Sequence, residues 1–279
     1  MTTLAPPAPP VTRRTTSRGR RSGALTWMAL PALLVFVAFA VVPLVGVLLL
    51  SFTSWDGIGV IRPAGFDSWR AVLTDPGLPH ALWVTFVVMA LSWAVQTPLS
   101  LLLGVFLAGH QRYRELLAVL FFIPLLVQDW LGDDTLAMGV IIFVVSWQYI
   151  PFHTLIYQGA VRQIPRSMYE AAELDGAGPV RTFFRITLPQ LKYTIITSST
   201  LMVVGSLVFF DLIFVLTAGG PGDATRVLAL DMYKRGFQAN LMGQASAIAV
   251  ILVLLGLALA LLLRRIGGGG SSASQLEGA

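Results

Sequence analysis

The sequence predicts an all-α membrane protein with six transmembrane helices, the third of them truncated. Of its 279 residues, 56% are apolar and only 12% are charged, which is about half the charged share of an average soluble protein. Five apolar runs approach or exceed the roughly 20 helical residues that cross a hydrocarbon core. These runs cover residues 24–51, 81–109, 136–160, 193–210 with a continuation to 217, and 245–263.

A sixth apolar run is too short to cross a bilayer. Residues 116–127 form only about 18 Å of helix, and the polar segment that begins with Gln128 and Asp129 follows at once. We interpret this run as the shortened third helix.

The distribution of basic residues favours six crossings over five. With six crossings, 14 of the 19 lysines and arginines fall on the side that holds both termini, and five fall on the other. With five crossings this bias largely disappears. Because basic loops stay in the cytoplasm during insertion, we expect both termini to be cytoplasmic, in a bacterial or archaeal plasma membrane.

The two ends of the chain differ in composition from the middle. Residues 1–22 combine four prolines with five arginines and too few apolar residues to pack, so we expect a disordered basic cytoplasmic tail. Residues 23–265 form the predicted transmembrane domain, with a cytoplasmic loop at 161–189. Residues 266–279 contain a run of four glycines followed by serines, which is typical of a flexible linker or cloning scar.

The residues required by several enzyme classes are missing from the sequence. There is no cysteine, and the three histidines are far apart and form no His-Glu-x-x-His motif, so a metal site is not expected. Neither of the two lysines follows a glycine, which excludes a phosphate-binding Walker loop. The short basic clusters between apolar runs are better explained as topology signals than as a nucleic-acid site. We therefore expect no catalytic residues and no cofactor in this chain.

The loop at 161–189 predicts a helix, a turn and a second helix. Pro165 suits the first turn of a helix, alanines and glutamates favour its continuation, and Asp175 with Gly176 ends it. The second helix begins at Pro179, and we expect Pro189 to interrupt it just before the next apolar run.

This loop resembles the signature of the membrane permeases of binding-protein-dependent ABC importers. That signature is Glu-Ala-Ala, three residues, Gly, nine residues, then Ile-x-Leu-Pro. It is matched here with both spacers by Glu170, Ala171, Ala172, Gly176, Ile186, Leu188 and Pro189.

By that resemblance, Tyr169 to Gly176 would be a coupling helix that docks in a cleft of a separate ATPase subunit, which binds ATP and Mg²⁺. Two small alanines permit close insertion, Glu170 offers an acceptor, and Gly176 permits a turn with positive φ. Glu173 and Asp175 are expected to be mainly solvated, and Asp175 also belongs to the coupling segment as the end of its helix. The resemblance further implies a second permease subunit, two ATPase copies, and an extracellular or lipid-anchored sugar-binding protein.

Two shorter sequence patterns resemble those of the carbohydrate branch of the family. These are the Ser-Phe-x-x-Trp pattern from Ser51 to Trp55 and the Thr-x-Gly-Gly-Pro pattern from Thr217 to Pro221, as in maltose- and glycerol-phosphate-type subunits. Relatives continue the third helix well beyond Val127, so about 25 to 30 residues would be missing between Val127 and Gln128. Either the chain is deleted there or residues are absent from its numbering.

Two groups of polar and aromatic residues within the apolar runs are candidates for contact with substrate, because a bilayer tolerates polar groups mainly where they face a cavity or partner. Asp211 has aromatic neighbours suited to sugar rings, with a helix-end aspartate bonded to a neighbouring span as the alternative. Around Gln148, at most two of three consecutive residues can face one cavity, and core packing is the favoured reading for Tyr149. The candidates are Trp147, Gln148, Tyr149, Phe210, Asp211 and Phe214.

These observations predict a permease subunit of an ATP-driven sugar importer. A permease for another solute, such as an amino acid or phosphate, remains an alternative, as does an ATP-independent channel or carrier, or a membrane enzyme. The sequence does not determine which sugar would be carried.

Overall fold

The computed structural model describes residues 22–108 and 132–266. The predictions for the basic tail, the short run at 116–127 with its proposed gap, and the C-terminal linker lie outside these residues. The chain divides into two compact units, residues 1–46 and 47–279, each described separately below.

The first apolar run is helical. It consists of α1 (Ser22–Phe36), a π-helical turn at Val37–Val41, and α2 (Val42–Leu50), which continues into the second unit. The N–H of Val42 donates to the carbonyl of Val37, and Pro43 follows. A proline ring clashes with the carbonyl four residues earlier, so the wider π turn lets the helix pass through Pro43.

The second unit is a helical bundle with a small hairpin at one end. Strands β1 (Thr53–Ser54) and β2 (Arg62–Pro63) pair antiparallel, with Thr53 opposite Pro63. The helices that follow are α3 (Asp67–Leu73), α4 (Gly77–Ala108), α5 (Asp134–Arg162), α6 (Arg166–Leu174), α7 (Pro179–Thr182), α8 (Leu188–Gln190), α9 (Lys192–Ser206), α10 (Asp211–Leu216), α11 (Leu228–Tyr233) and α12 (Met242–Ile266). We call the end with β1 and β2 the hairpin end, and the end with α6 to α8 the loop end.

Four helices of the described residues are long and apolar enough to cross a membrane. They are Ala29–Leu50, Gly77–Ala108, Leu136–Arg162 and Met242–Ile266. Each coincides with one of the five complete runs expected from the sequence, so four of those five spans are found as single helices.

The run at 193–217 is not a single helix. It is divided into α9 and α10 by residues 207–210, where the backbone N–H groups of Leu207, Val208 and Phe209 each donate to the carbonyl three residues earlier. This tightening ends the α-helical hydrogen-bond pattern, and Phe210 then adopts a φ of −122° with a ψ of −55°, outside the helical region. Apolar composition does not report such a change in hydrogen bonding, so the sequence alone could not predict the break.

Helices α4 and α5 pack closely where a glycine removes side-chain volume. A Cβ atom at Gly104 would lie 2.6 Å from Cβ of Tyr157 and 3.1 Å from the backbone of Thr154 and Gln158. The Gln158 side chain also donates to the Leu107 carbonyl at 2.7 Å. Only glycine at this position permits the two helices to approach this closely.

An ion-pair network closes the hairpin end. The buried carboxylate of Asp231 accepts hydrogen bonds from both Arg226 and Arg235. Arg235 also pairs with Asp75, which precedes α4, and donates to Gln244 of α12 at 2.8 Å. The bond to Asp231 is the main cause that raises the pKa of Arg226, so this guanidinium stays charged. The network joins the segment around α11 to the starts of α4 and α12.

Candidate functional site

A polar cavity of 290 Å³ lies among α4, α5, α9 and α10. Gln96 and His153 are almost completely buried, with 2% and 3% of their surfaces exposed. Tyr149 stacks on Phe209, with ring centroids 5.3 Å apart. The cavity is lined by Gln96, Tyr149, His153, Leu201, Met202, Gly205, Val208, Phe209 and Asp211.

The polar side chains of the cavity differ in whether they have a hydrogen-bond partner. His153 Nδ1 lies 2.9 Å from the hydroxyl of Ser198, which fixes its ring against α9. The Gln96 side chain has no hydrogen bond to any residue within 22–108 or 132–266, although it is buried. Its amide is not one of the fully buried groups that lack a partner, so it faces the cavity and is available to bind a polar ligand there.

The break between α9 and α10 positions Asp211 at this cavity. Asp211 opens α10, its carboxylate is exposed, and it makes no ion pair with any residue that the structure describes. Phe209 and Phe210 precede it in the chain, and Phe210 stacks on Phe214 with ring centroids 5.4 Å apart. An acceptor beside flat apolar faces suits a ligand with hydroxyl groups and a carbon ring face.

The sequence-based candidates are only partly brought together here. Tyr149 and Asp211 line the cavity, whereas Gln148 is exposed and does not. Consecutive residues point about 100° apart around a helix, so Tyr149 facing the cavity turns Gln148 away. Trp147 lies against Phe143, with ring centroids 6.0 Å apart. This cavity therefore contains Asp211 but not Gln148, and the role of Gln148 in the translocation pathway stays a prediction.

Gln96 and His153 were missed by the sequence analysis. A usable signal was present for Gln96, because Ser92, Gln96 and Ser100 are spaced four residues apart on α4 and all three are buried. Polar residues at that spacing share one face of an otherwise apolar helix. His153 offered no comparable local pattern.

The loop end contains the segment with the Glu-Ala-Ala signature. Helix α6 ends as expected at Asp175, and Gly176 has a φ of +69°. The N–H of Ala177 donates to Ala172 and that of Gly176 to Glu173, which is the Schellman arrangement of a glycine-terminated helix.

The two halves of the signature contact each other. The hydroxyl of Tyr169 lies 3.2 Å from that of Thr187, between Ile186 and Leu188. Ala172 is buried, whereas Glu170, Ala171 and Asp175 are exposed. The segment thus has an inner face, with Ala172 buried and Tyr169 bonded to Thr187, and an exposed outer face. On the outer side, 90% of the Leu174 surface is exposed, and the sequence analysis had not singled out this residue.

Pro189 disturbs its helix less than expected. A π-helical turn at Phe183–Thr187 precedes α8, and the N–H of Leu188 donates to Phe183. As at Pro43, the wider turn accommodates the proline that follows. The prediction that Pro189 interrupts the helix was therefore wrong, and the chain turns instead at Leu191.

Within the residues that the structure describes, no group of three or more histidine and acidic side chains could hold a metal ion. His80 lies 3.0 Å from the Asp223 carbonyl, and His153 bonds to Ser198. These two histidines therefore have other partners.

Comparison with known proteins identifies the chain's family. Residues 12–267 match the family described as "Binding-protein-dependent transport system inner membrane component". The probable ABC transporter permease protein YurN of Bacillus subtilis is 28% identical over an alignment of 274 residues, covering 85% of this chain and 94% of that protein. The arabinooligosaccharides transport system permease protein AraP of the same organism is 25% identical over 272 residues, covering 85% and 86%.

A solved structure has the same fold. It is a chain of a bacterial ABC transporter involved in the import of the acidic polysaccharide alginate, with a TM-score of 0.73, 20% identity, and coverage of 89% of this chain and 96% of that one. Family members are membrane transport subunits rather than enzymes. The chain belongs to the family of binding-protein-dependent inner membrane components of ABC transporters.

Proposed function

We propose that this chain is a permease subunit of an ATP-driven sugar importer and forms half of its translocation pathway. The cavity carries the proposal, because an unpartnered amide at Gln96, a carboxylate at Asp211 and the stacked rings of Tyr149 and Phe209 lie together. Sugars present hydroxyl groups at their edges and apolar carbon faces, which these groups complement. A relative named for the transport of arabinooligosaccharides supports the same substrate class.

The loop end is proposed to couple transport to ATP hydrolysis. Its inner face is linked through the Tyr169 hydroxyl to Thr187, in the turn that leads through α8 into α9, so a push on α6 would be passed towards α9. Its outer face presents Glu170, Ala171 and Leu174 for contact with an ATPase subunit. Two ATPase copies, a second permease and a sugar-binding protein would complete the importer, which would work by alternating access.

Six crossings are proposed, with the loop end in the cytoplasm. The four long helices supply four crossings, α9 with α10 supplies a fifth, and the run at 116–127 would belong to the sixth. The basic residues of the loop end support this orientation, because Arg162, Arg166, Arg181, Arg185 and Lys192 all lie there. The hairpin end would then face outward.

The chain is also proposed to lack a segment near residue 127. The alignment with YurN runs over 274 residues, but 85% of 279 is about 237, so about 37 aligned positions have no counterpart in this chain. The alignment with AraP leaves about 35 in the same way. These figures support an internal gap, and the shortness of the run at 116–127 favours its location there.

Glu170→Lys tests the coupling role. A cation in place of the acceptor should abolish substrate-stimulated ATPase activity and sugar uptake, while the subunit still inserts in the membrane. Glu173→Lys is the matched control, because it makes the same charge change on the same helix at an exposed position expected to be solvated. Normal uptake with Glu170→Lys would refute the coupling role.

Alanine variants of Gln96, Asp211 and Gln148 test the pathway. Loss of one hydrogen bond of about 1 to 3 kcal/mol should weaken sugar binding in the pathway roughly 5-fold to 150-fold. We expect this defect for Gln96→Ala and Asp211→Ala, with assembly preserved. The sequence predicts the same defect for Gln148→Ala, whereas its exposed position predicts none, so the uptake KM of that variant decides between them. Unchanged uptake kinetics in all three variants would contradict the proposed pathway.

A further inference from the structure

Four aromatic rings form a continuous contact chain at the hairpin end. Phe237 contacts Tyr233 at 5.3 Å between centroids, and Tyr233 contacts Phe210 at 4.7 Å and Phe214 at 5.1 Å. Phe210 stacks on Phe214 at 5.4 Å with 24° between their planes. We call these four residues the aromatic ladder.

The ladder begins at the protein surface, and its inner residue Phe210 is next in sequence to residues that line the cavity. Phe237 is 66% exposed, whereas Phe210, Phe214 and Tyr233 are half-buried. At the inner end, Phe210 lies between Phe209 and Asp211, both of which line the cavity. The cavity adds a further ring pair, because Phe209 stacks on Tyr149. Aromatic residues therefore extend from the surface to the chain segment that borders the cavity.

The inner end of the ladder lies beside a carboxylate and suits neutral sugars better than anions. Asp211, next to Phe210, carries a carboxylate that can accept hydrogen bonds from hydroxyl groups and would repel an anion. The nearby Arg235 is engaged by Asp75 and Asp231, so its charge is largely neutralised within the network. Rings beside acceptors bind the apolar face of a sugar and its hydroxyl edge together.

We propose that the aromatic ladder is a binding path for sugar rings, along which a sugar stacks on successive aromatic faces from Phe237 to the cavity. This path rests on the proposed function, because it assigns the ladder to the substrate of that cavity. Several similar, weak stacking sites allow a ligand to advance without being held tightly at any one of them.

The absence of cysteine permits a test that needs no knowledge of the natural substrate. Single-cysteine variants Phe237→Cys and Phe214→Cys would be purified with their partner subunits in lipid nanodiscs. Each would be treated with hydroxyethyl methanethiosulfonate and with a glucosylated methanethiosulfonate. Phe66→Cys is the matched control, because Phe66 is 74% exposed at the same end and lies outside the ladder.

We expect the thiol of the Phe214→Cys variant to react within about tenfold of the rate of the Phe237→Cys variant, because a path must admit solvent. The Phe214→Cys variant should favour the glucosylated reagent over the hydroxyethyl reagent by about 3- to 10-fold, relative to the same ratio in the Phe66→Cys control. Adding Tyr233→Leu keeps an apolar side chain but removes a stacking face, and should bring that ratio to the control value.

Two results would overturn the path. A rate for Phe214→Cys more than about tenfold below that for Phe237→Cys would mean that the rings are closed packing or are covered by the second permease. A reagent ratio equal to that of the Phe66→Cys control would mean that the ladder has no preference for sugars. Neither measurement depends on sugar uptake. A negative result for the ladder can therefore be told apart from a negative result for the proposed function, which the uptake of the Gln96 and Asp211 variants tests. Copurification with the partner subunits checks that each variant assembles.

Discussion

Asp56 closes the turn between the two short strands through a single carboxylate oxygen. Its Oδ1 accepts hydrogen bonds from the backbone N–H of Gly59 at 2.6 Å and of Ile58 at 3.0 Å. These bonds, that to Gly59 first, lower the pKa of Asp56 below its ordinary value of 3.8. The Trp55 indole donates to the Gly59 carbonyl at 2.8 Å, so the state of the turn should affect its fluorescence.

We therefore predict that the turn opens in acid. A carboxylate whose folded pKa is lowered stabilises the fold above its unfolded pKa, and this contribution is lost as the pH falls through the lower folded value. The Trp55 emission, obtained by subtracting the spectrum of Trp55→Phe, should change in that range below pH 3.8. Asp56→Asn keeps an acceptor oxygen that does not ionise, and should remove the pH dependence. Identical titrations of both forms would contradict the role of Asp56.

Some individual positions could be predicted from sequence and others could not. The positive φ of Gly176 was predictable, because a glycine after an alanine- and glutamate-rich helix is a common helix end. The sequence analysis chose Gln148 and not Gln96 as a cavity residue. The apolar run around Gln148 does not reveal which side of its helix faces the neighbouring helices. Helix orientation about its own axis is set by packing.

At the scale of elements, the contact between α4 and α5 depends on Gly104. Gly104→Ala would place a Cβ atom against Tyr157 Cβ and the α5 backbone, which cannot yield as a flexible side-chain end could. We expect a loss of about 1 to 3 kcal/mol in stability. Thermal unfolding of the purified subunit in detergent is the measurement.

Gly139→Ala on α5 is the control for that prediction. No atom lies within 4 Å of a Cβ built there, so the change should be neutral or stabilising through better helix propensity. If the two alanine variants unfold at the same temperature, close packing at Gly104 is not the reason for its glycine.

The break between α9 and α10 and the π turns before Pro43 and Pro189 show the limit of sequence reasoning at this scale. Composition located the apolar runs, and proline positions marked where helices were under strain. A proline allows several local solutions, however, and the bundle selects among them. At Pro43 and Pro189 the helix widens in the preceding turn, so both prolines lie within helical segments.

For the molecule as a whole, the ion pairs of Asp231 hold the hairpin end together. Asp231→Ala would leave Arg226 and Arg235 without their common acceptor in a partly buried site, at a cost of about 3 to 5 kcal/mol. Asp223→Ala removes an exposed partner of Arg226 and should cost about 0 to 1 kcal/mol. Thermal unfolding of both variants distinguishes them, and equal stabilities would refute a dominant role for Asp231.

The length of the polypeptide is itself testable. An intact mass near 30.1 kDa would mean that the residues between Val127 and Gln128 are truly deleted. A mass larger by about 3 to 4 kDa, at roughly 110 Da for each of the 25 to 37 inferred residues, would mean that the polypeptide contains residues outside this numbering. Mass spectrometry of the purified chain decides between the two.

The fold class and family followed from apolar run length and from one spaced signature, because both are local in sequence. The cavity did not, because its lining comes from α4, α5, α9 and α10, residues that are far apart along the chain. The same holds for the Asp231 network, whose members span residues 75 to 244.

The separation of Asp75 and Arg235 along the chain sets an order of events during biosynthesis. Arg235 is added 160 residues after Asp75, which at about 5 to 20 residues per second takes roughly 8 to 32 s on the ribosome. Throughout that interval Asp75 lacks this cation, and α4 must enter the membrane before the pair can form. The hairpin end consequently cannot close before residue 235 has been added, and nascent chains released earlier would leave it open.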